Sequence, residues 1–412
     1  MSRRPHTSLH RSLTFGLLAL VAAPLVRAAG QATGSPSNVH APVVIMTSQQ
    51  DHDRQMQVLG ISGFPAGPDA YQSATYSETT ATPYPKLPDP LVMNDGTKVT
   101  TAGQWTKRRA EIKEFFDREV YGRVPKNMPA VKWEVVSRET GPQLGSDTPV
   151  ITKQIVGHVD NSSYPAITVN IGMTLVTPAN TTGSVPIIMQ FGGGGPNPMP
   201  ANDSPNPCAP PPGTPARGAG AGRAGVPPAA ARGPQGPNWQ AQLLQKGWGY
   251  AMLNTSSIQA DSGCGLTVGI IGLLNKGQPR KMDDWGSLRA LAWGADRAMD
   301  YFETDHAVDV TRVGVEGHSR WGKATLVTMA YDERFAIGYV SSSGEGGAKL
   351  HRRKFGEVIE NLNATNEYHW MAGNFMKYGG RWDQLPVDSH ELIAMVAPRP
   401  LFLSAGSGRR TS

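Results

Sequence analysis

Over residues 103–120 apolar side chains recur at spacings of three and four, with Trp105, Ile112, Phe115, Phe116 and Val120 set among charges. That spacing predicts an amphipathic helix, and Tyr121-Gly-Arg-Val-Pro125 carries the Gly and Pro that stop it. Beyond it the period changes. Short runs rich in β-branched residues at Val131–Val136, Val150–Val156, Ala166–Val176 and Val185–Phe191 read as strands. After residue 238 the two patterns alternate. A helix is predicted over Trp239–Lys246, a strand over Tyr250–Leu253, a helix over Asp284–Phe302 and a strand over Arg312–Val315. A helix over Arg320–Tyr331, a strand over Ala336–Ser341, a mixed helical stretch and a strand over Pro400–Ser404 complete the series. Short apolar strands alternating with helices predict an α/β protein, a mostly parallel sheet covered on both faces.

Three segments stand outside this pattern. Residues 1–28 join a basic start, Arg3 and Arg4, to an apolar run from Ser12 to Val26 and small residues at Ala28 and Ala29. This is the layout of a secretory signal peptide, and cleavage near Ala28 or Ala29 is expected. The run contains Pro24 and is too short to span a bilayer, so a secreted or periplasmic protein with no membrane attachment after processing is expected. Residues 29–84 read as an irregular N-terminal segment, and 85–412 as the α/β domain. Within that domain, 196–238 is Gly, Pro and Ala with few large apolar residues. Such a stretch buries too little surface to offset its ordering entropy and reads as a disordered surface insertion.

Composition and charge narrow the partners. The 412 residues hold 39 Lys and Arg against 33 Asp and Glu, a formal charge of +6. Four of those cations, Arg3, Arg4, Arg11 and Arg27, lie in the first 28 residues with no acid beside them. The rest is near neutral and has no Lys/Arg block, so nucleic acid is not expected as a partner. The two cysteines, Cys208 and Cys264, suit an oxidising compartment, and the sequence leaves open whether they are bridged. No Cys/His spacing marks a metal site. No cofactor is expected, and a monomer is.

Candidate chemistry centres on Arg312-Val-Gly-Val-Glu-Gly-His-Ser-Arg-Trp-Gly-Lys323. A predicted strand runs into Gly317 and a helix starts directly after Ser319. Such a strand-to-helix turn lifts a serine above the C-terminal edge of the sheet. The amides that open the helix then point at a developing oxyanion. The usual spacing is Gly-x-Ser-x-Gly; here the second Gly, Gly322, comes one place later. Gly192–Gly195, at an earlier strand end, is placed to supply a second oxyanion amide. Arg320 and Lys323 oppose the helix dipole, a cost that an acidic substrate beside Ser319 would offset.

Gly317-His-Ser-Arg-Trp-Gly-Lys323 resembles the nucleophile motif of the glucuronoyl esterases. Leu87–Leu91, Arg118–Pro125, Asn275–Lys281 with Asp284–Gly286, Ser343–Ala348, Leu385–His390 and Ala397–Pro400 are also similar to bacterial members. The resemblance covers about 85–412 and implies an α/β hydrolase, a three-layer sandwich with a mostly parallel sheet. It implies a metal-free serine triad cleaving esters between 4-O-methyl-glucuronic acid on xylan and lignin alcohols. Glucuronoxylan or a lignin–carbohydrate ester would be the substrate. Ser319 would be the nucleophile, Arg320 the oxyanion stabiliser, and Lys323 and Glu357 the contacts to sugar hydroxyls.

The triad is where the sequence departs from that family. A serine nucleophile needs a histidine base with a carboxylate behind it, in the chain order Ser, acid, His. The sequence places no histidine after His390 and no strand after Pro400–Ser404. A C-terminally truncated or frame-shifted copy is therefore expected, its sheet missing the last strand and its site missing the catalytic His. Some members carry the acid at the place matching Ser342; Glu345, three residues on, is the possible acid here. The expected function is a secreted carboxylic ester hydrolase for glucuronoyl esters. The alternatives are an acetyl-xylan-type esterase or a non-catalytic carbohydrate-binding remnant.

Overall fold

The computed structural model describes residues 40–68, 81, 86–142, 148–192, 208 and 238–405. The signal-peptide reading, and the reading of 196–238 apart from Cys208 and Asn238, lie outside these residues.

The segment read as irregular contains a helix, α1 (Ser48–Leu59). A reciprocal cap closes its start: Thr47 Oγ1 accepts from the Gln50 N–H at 3.1 Å, and Gln50 Oε1 accepts from the Thr47 N–H at 2.8 Å. Gly60, at φ 66°, ends it. The buried face of α1 is polar, formed by Asp51, His52 and Gln55, so apolar periodicity could not reveal it. Helix α2 (Ala102–Phe115) passes into a single π-helical turn, Phe116–Val120, inside the span predicted as one helix.

Three antiparallel strands follow: β1 (Val131–Pro142), β2 (Pro149–Val159) and β3 (Asn170–Pro178). The strand predicted from Ala166 begins only at Asn170, because Ile167 closes a turn onto the Tyr164 carbonyl. After β4 (Val185–Phe191) come α3 (Trp239–Gln245), β5 (Gly249–Leu253) and α4 (Gly269–Leu274). Then come α5 (Ser287–Phe302), β6 (Val308–His318), α6 (Arg320–Tyr331) and β7 (Ile337–Ser341). The mixed stretch resolves into short 3₁₀ turns with α7 (Ile359–Leu362) and α8 (Ser389–Ala394), before β8 (Leu401–Ser404).

The strands form one sheet in the order β1-β2-β3-β5-β4-β6-β7-β8. From β5 to β8 all neighbours are parallel, and β3 joins β5 antiparallel. With helices around it, this is the α/β hydrolase fold that the alternation implies. Leu288, Leu291 and Met299 of α5 and Leu326, Val327 and Met329 of α6 are buried in one core with Ile187, Val313 and Val315 of the sheet. Among the described residues strand β8 is the edge, and Phe402 and Leu403 stand 62% and 43% exposed on it.

Cys208 and Cys264 are bridged, with Cα atoms 5.4 Å apart. The bond ties Cys208 to the 3₁₀ turn Gly263–Thr267, which follows Asp261.

Candidate active site

Ser319 lies between the last residue of β6 and the first of α6, at φ 59° and ψ −125°. A non-glycine residue held there stores about 1–3 kcal/mol of backbone strain, which the surroundings must enforce. They do so from two sides. The Ser319 N–H donates to the Ser341 carbonyl of β7 at 2.9 Å, and the Ser319 carbonyl accepts from the Lys323 N–H at 3.0 Å. Ser319 is exposed, and the amides of Arg320 and Trp321 have no acceptor within α6.

The displaced second glycine has a packing reason. A Cβ at Gly322 would sit 2.7 Å from the Ser341 carbonyl oxygen, and one at Gly317 would sit 2.4 Å from that of Trp321. Both glycines let α6 start in contact with β6 and β7. Position 321, where the usual motif has Gly, points outward, so Trp321 fits there 38% exposed with its ring against Gly192.

His318 and Arg320, the chain neighbours of Ser319, both line a cavity of about 500 Å³ together with Trp321, Asp261 and Trp370. Asp261 organises this wall. Its Oδ1 accepts from His369 Nε2 at 2.9 Å and from Trp370 Nε1 at 2.6 Å, and its Oδ2 accepts from Arg320 Nη1. Desolvation by its neighbours pushes Asp261 up, but those hydrogen bonds and the charge of Arg320 outweigh it and hold the carboxyl well below the usual range. His369 is buried, and burial lowers its pKa despite Asp261. The neutral ring therefore donates through Nε2, leaving Nδ1 a buried lone pair without a partner among the described residues. The Arg320 guanidinium lies 5.3 Å from the centre of the Trp370 ring.

Lys323, one turn along α6, is 2% exposed, and its Nζ lies 5.6 Å from the same ring. Its ammonium donates to the Ser343 carbonyl at 2.6 Å and to Glu357 Oε2 at 2.8 Å. Glu357 Oε2 also accepts from the Glu345 N–H at 2.9 Å. The fold thus joins Lys323 and Glu357 across 34 residues, next to Trp370, although neither lines the cavity itself.

Glu367 belongs to the same neighbourhood. Burial pushes its carboxyl up to about 7, helped by the negative charge of Glu357 and opposed by Lys323 and Arg320. A carboxyl raised above its ordinary 4.5 keeps its proton in the folded state after the unfolded chain has released it. Its contribution to stability is therefore complete below that value and is lost as pH rises to about 7. Glu367→Gln is expected to flatten the fall in stability over this window in urea unfolding at stepped pH; an unchanged slope would contradict the assignment.

One expectation is corrected here. Glu345 is fully buried and its carboxylate is taken by Lys349 Nζ at 2.7 Å and by His351 Nδ1, so it is not free to orient a base for Ser319. Of the Gly192–Gly195 loop, only Gly192 lies within the described residues, and its N–H is taken by the Leu253 carbonyl at 3.2 Å. Among the described residues no histidine bonds the Ser319 hydroxyl. His318 Nδ1 meets Ser341 Oγ at 3.1 Å, and His390 Nε2 meets the Pro88 carbonyl at 2.7 Å. Nor does any group of three or more His, Cys, Asp or Glu among them suit a metal ion.

Asp261, His369, Trp370 and Glu367 escaped the sequence reading. Asp261 lies more than 100 residues from His369 and Trp370, and no local motif links them. The only signal was compositional, the run Glu367-Tyr-His-Trp370 in an otherwise featureless helical stretch.

Comparison with known proteins adds to this geometry. The family profile described as "Glucuronyl esterase, fungi" matches residues 280–411. A carbohydrate esterase, MZ0003, from an unknown prokaryotic organism is 34% identical over 82% of this chain and 78% of its own length. A 4-O-methyl-glucuronoyl methylesterase of Cerrena unicolor is 26% identical over 77% of this chain and 56% of its own. Among solved structures, a CE15 glucuronoyl esterase from Teredinibacter turnerae T7901 superposes with a TM-score of 0.73 at 36% identity, covering 88% of this chain and 82% of that one. With the sheet order, the serine elbow and these similarities together, the chain belongs to the glucuronoyl esterase family of carboxylic ester hydrolases.

Proposed function

We propose that this protein is a secreted serine esterase that cleaves 4-O-methyl-glucuronoyl esters such as those between xylan and lignin. The observation that carries the reading is Ser319, held at a strained elbow with Arg320 beside it and Lys323–Glu357 one turn away. In this reading Ser319 Oγ attacks the ester carbonyl while its proton passes to a base that the described residues do not supply, such as added imidazole. The carbonyl oxygen becomes an oxyanion facing Arg320 and the first amides of α6. Collapse expels the alcohol, which takes up the proton, and leaves a glucuronoyl ester on Ser319. Water then attacks that ester and releases the uronic acid. Glu357 Oε1 makes no hydrogen bond to a described residue, so it is open to a sugar hydroxyl. Lys323 spends two of its three N–H donors on Ser343 and Glu357, which fixes that carboxylate and leaves one donor for a sugar hydroxyl.

The test is a substrate panel of methyl and benzyl 4-O-methyl-glucuronate esters against acetylated xylan. Preference for the glucuronate esters is expected. Preference for acetyl groups would favour the acetyl-xylan reading, and binding of the uronate without turnover of either ester would favour a carbohydrate-binding remnant.

Asp261 is a positioning residue in this account. Asp261→Asn keeps the shape but removes the charge that holds Arg320 against Trp370. A loss on the order of tenfold in kcat/KM is expected, with little change in Tm. Unchanged kcat/KM would show that Arg320 needs no such support.

A further inference from the structure

Two stretches that carry the family resemblance, Arg118–Pro125 and Asn275–Gly286, contribute no residue to the cavity beside Ser319. They meet each other instead. The Arg123 N–H donates to the Asp283 carbonyl at 2.8 Å. Gly122, at φ 86°, leaves no room for a Cβ, which would lie 2.3 Å from the Asp284 carbonyl oxygen. With the π-helical turn and the start of α5, they enclose a second cavity of about 570 Å³. Five cations line it, Lys113, Arg123, Lys126, Lys281 and Arg289, against two carboxylates, Asp117 and Asp284.

Two of those cations are committed. Lys113 pairs with Asp117 at 2.5 Å, and Arg123 with Glu114 at 2.5 Å and Asp283 at 3.2 Å. The side chains of Lys126 and Lys281 are exposed and make no hydrogen bond or ion pair with a described residue. Arg289 is 8% exposed and lies over the Tyr331 ring at 4.1 Å. Its nearest carboxylate is Asp296, 3.8 Å from Nη1, and its Nε and Nη1 have no hydrogen-bond partner. Asp284 is turned to the Lys281 N–H at 2.7 Å. The long pairing with Asp296 compensates the buried guanidinium only in part, and an entering anion would add to it. The remaining wall, Val124, Pro125 and Leu274, is apolar and suits the carbon face of a sugar ring.

We propose that this cavity is a second site that binds a carboxylate-bearing sugar, a uronate unit of the polysaccharide remote from the ester being cleaved. The choice of a uronate rests on the proposed function, whereas the demand for an anion follows from the uncommitted cations alone.

The test titrates the full chain with D-glucuronate, D-glucose and inorganic sulfate by calorimetry, beside the double variant Lys126→Glu/Lys281→Glu. Both lysines are exposed and unpaired, so hydrolysis of a methyl glucuronate ester should be unchanged. Glucuronate affinity at this site is expected to fall on the order of tenfold or more. Arg289→Gln, checked by its melting temperature, should weaken the same binding component. An unchanged isotherm in the double variant would overturn the proposal. So would glucose binding as tightly as glucuronate, and sulfate binding as tightly would reduce the site to a bare anion pocket. Because binding is read without turnover, a chain that keeps this component but shows no Ser319-dependent turnover even with added imidazole would sink the esterase reading and leave the second site standing.

Discussion

Added imidazole is expected to accelerate hydrolysis of a methyl 4-O-methyl-glucuronate ester by the unmodified chain, and Ser319→Ala is expected to remove that acceleration completely. A serine hydroxyl attacks only as its proton is taken up, and among the described residues no histidine reaches Ser319. In serine hydrolases, loss of the base alone costs about as much rate as loss of the whole triad, leaving a residual of about 10³-fold over water from the anion site and binding. The unmodified chain and the Ser319→Ala variant should therefore turn over at similar low rates in plain buffer. Imidazole can enter beside Ser319 from the cavity lined by His318 and Arg320 and act as a diffusible base. It should raise the rate of the unmodified chain on the order of tenfold or more, and the variant, with no hydroxyl to activate, should not respond. Ordinary esterase rates without imidazole would mean that a histidine does reach Ser319. His318 would be the first to replace, because it lines the cavity, whereas His390 is held by Pro88.

The second large effect is structural. Gly317→Ala is expected to destabilise the protein by about 3 kcal/mol or more and to abolish any Ser319-dependent reaction. The added methyl would lie 2.4 Å from the Trp321 carbonyl oxygen and 2.5 Å from its carbon, both backbone atoms at the start of α6. No rotamer change can relieve that contact, so α6 must move off β6. The movement would break the bonds from Ser319 to Ser341 and Lys323 that hold the strained backbone. Urea unfolding would measure the loss. A variant as stable as the parent would mean that the elbow is looser than the distances imply.

The fold was legible wherever a face of the element is apolar. Strand β4 and helix α6 match the predicted boundaries because Val185–Phe191 and Arg320–Tyr331 each bury a nearly continuous apolar set. Helix α1 was not legible: it packs through Asp51, which pairs with Arg54 and accepts from the Tyr368 hydroxyl at 3.0 Å, and through His52, bonded to the Asn363 carbonyl. Such contacts follow no period and depend on partners about 300 residues away. The site divides in the same way. Ser319, Arg320 and Lys323 sit in one local motif on one turn, so the sequence displays them together. Asp261 comes from one loop and the adjacent pair His369 and Trp370 from another, and only the folded chain brings their polar atoms to one carboxylate. Glu345 misled because its place in the sequence, just after β7, says nothing of the half-buried Lys349 and the buried His351 that claim it.

The account rests on Ser319 as the atom that accepts the acyl group, and the most direct measurement is to trap it there. The chain would be incubated with a 4-O-methyl-glucuronate ester of a good leaving group in the presence of imidazole, quenched in acid, and digested with trypsin. Cleavage after Arg312 and Arg320 isolates residues 313–320, which contain Ser319 as their only serine. The predicted result is a glucuronoyl adduct on that peptide, absent from the Ser319→Ala variant. An adduct on another peptide, or ester hydrolysis that persists unchanged in Ser319→Ala with no adduct in either protein, would contradict it.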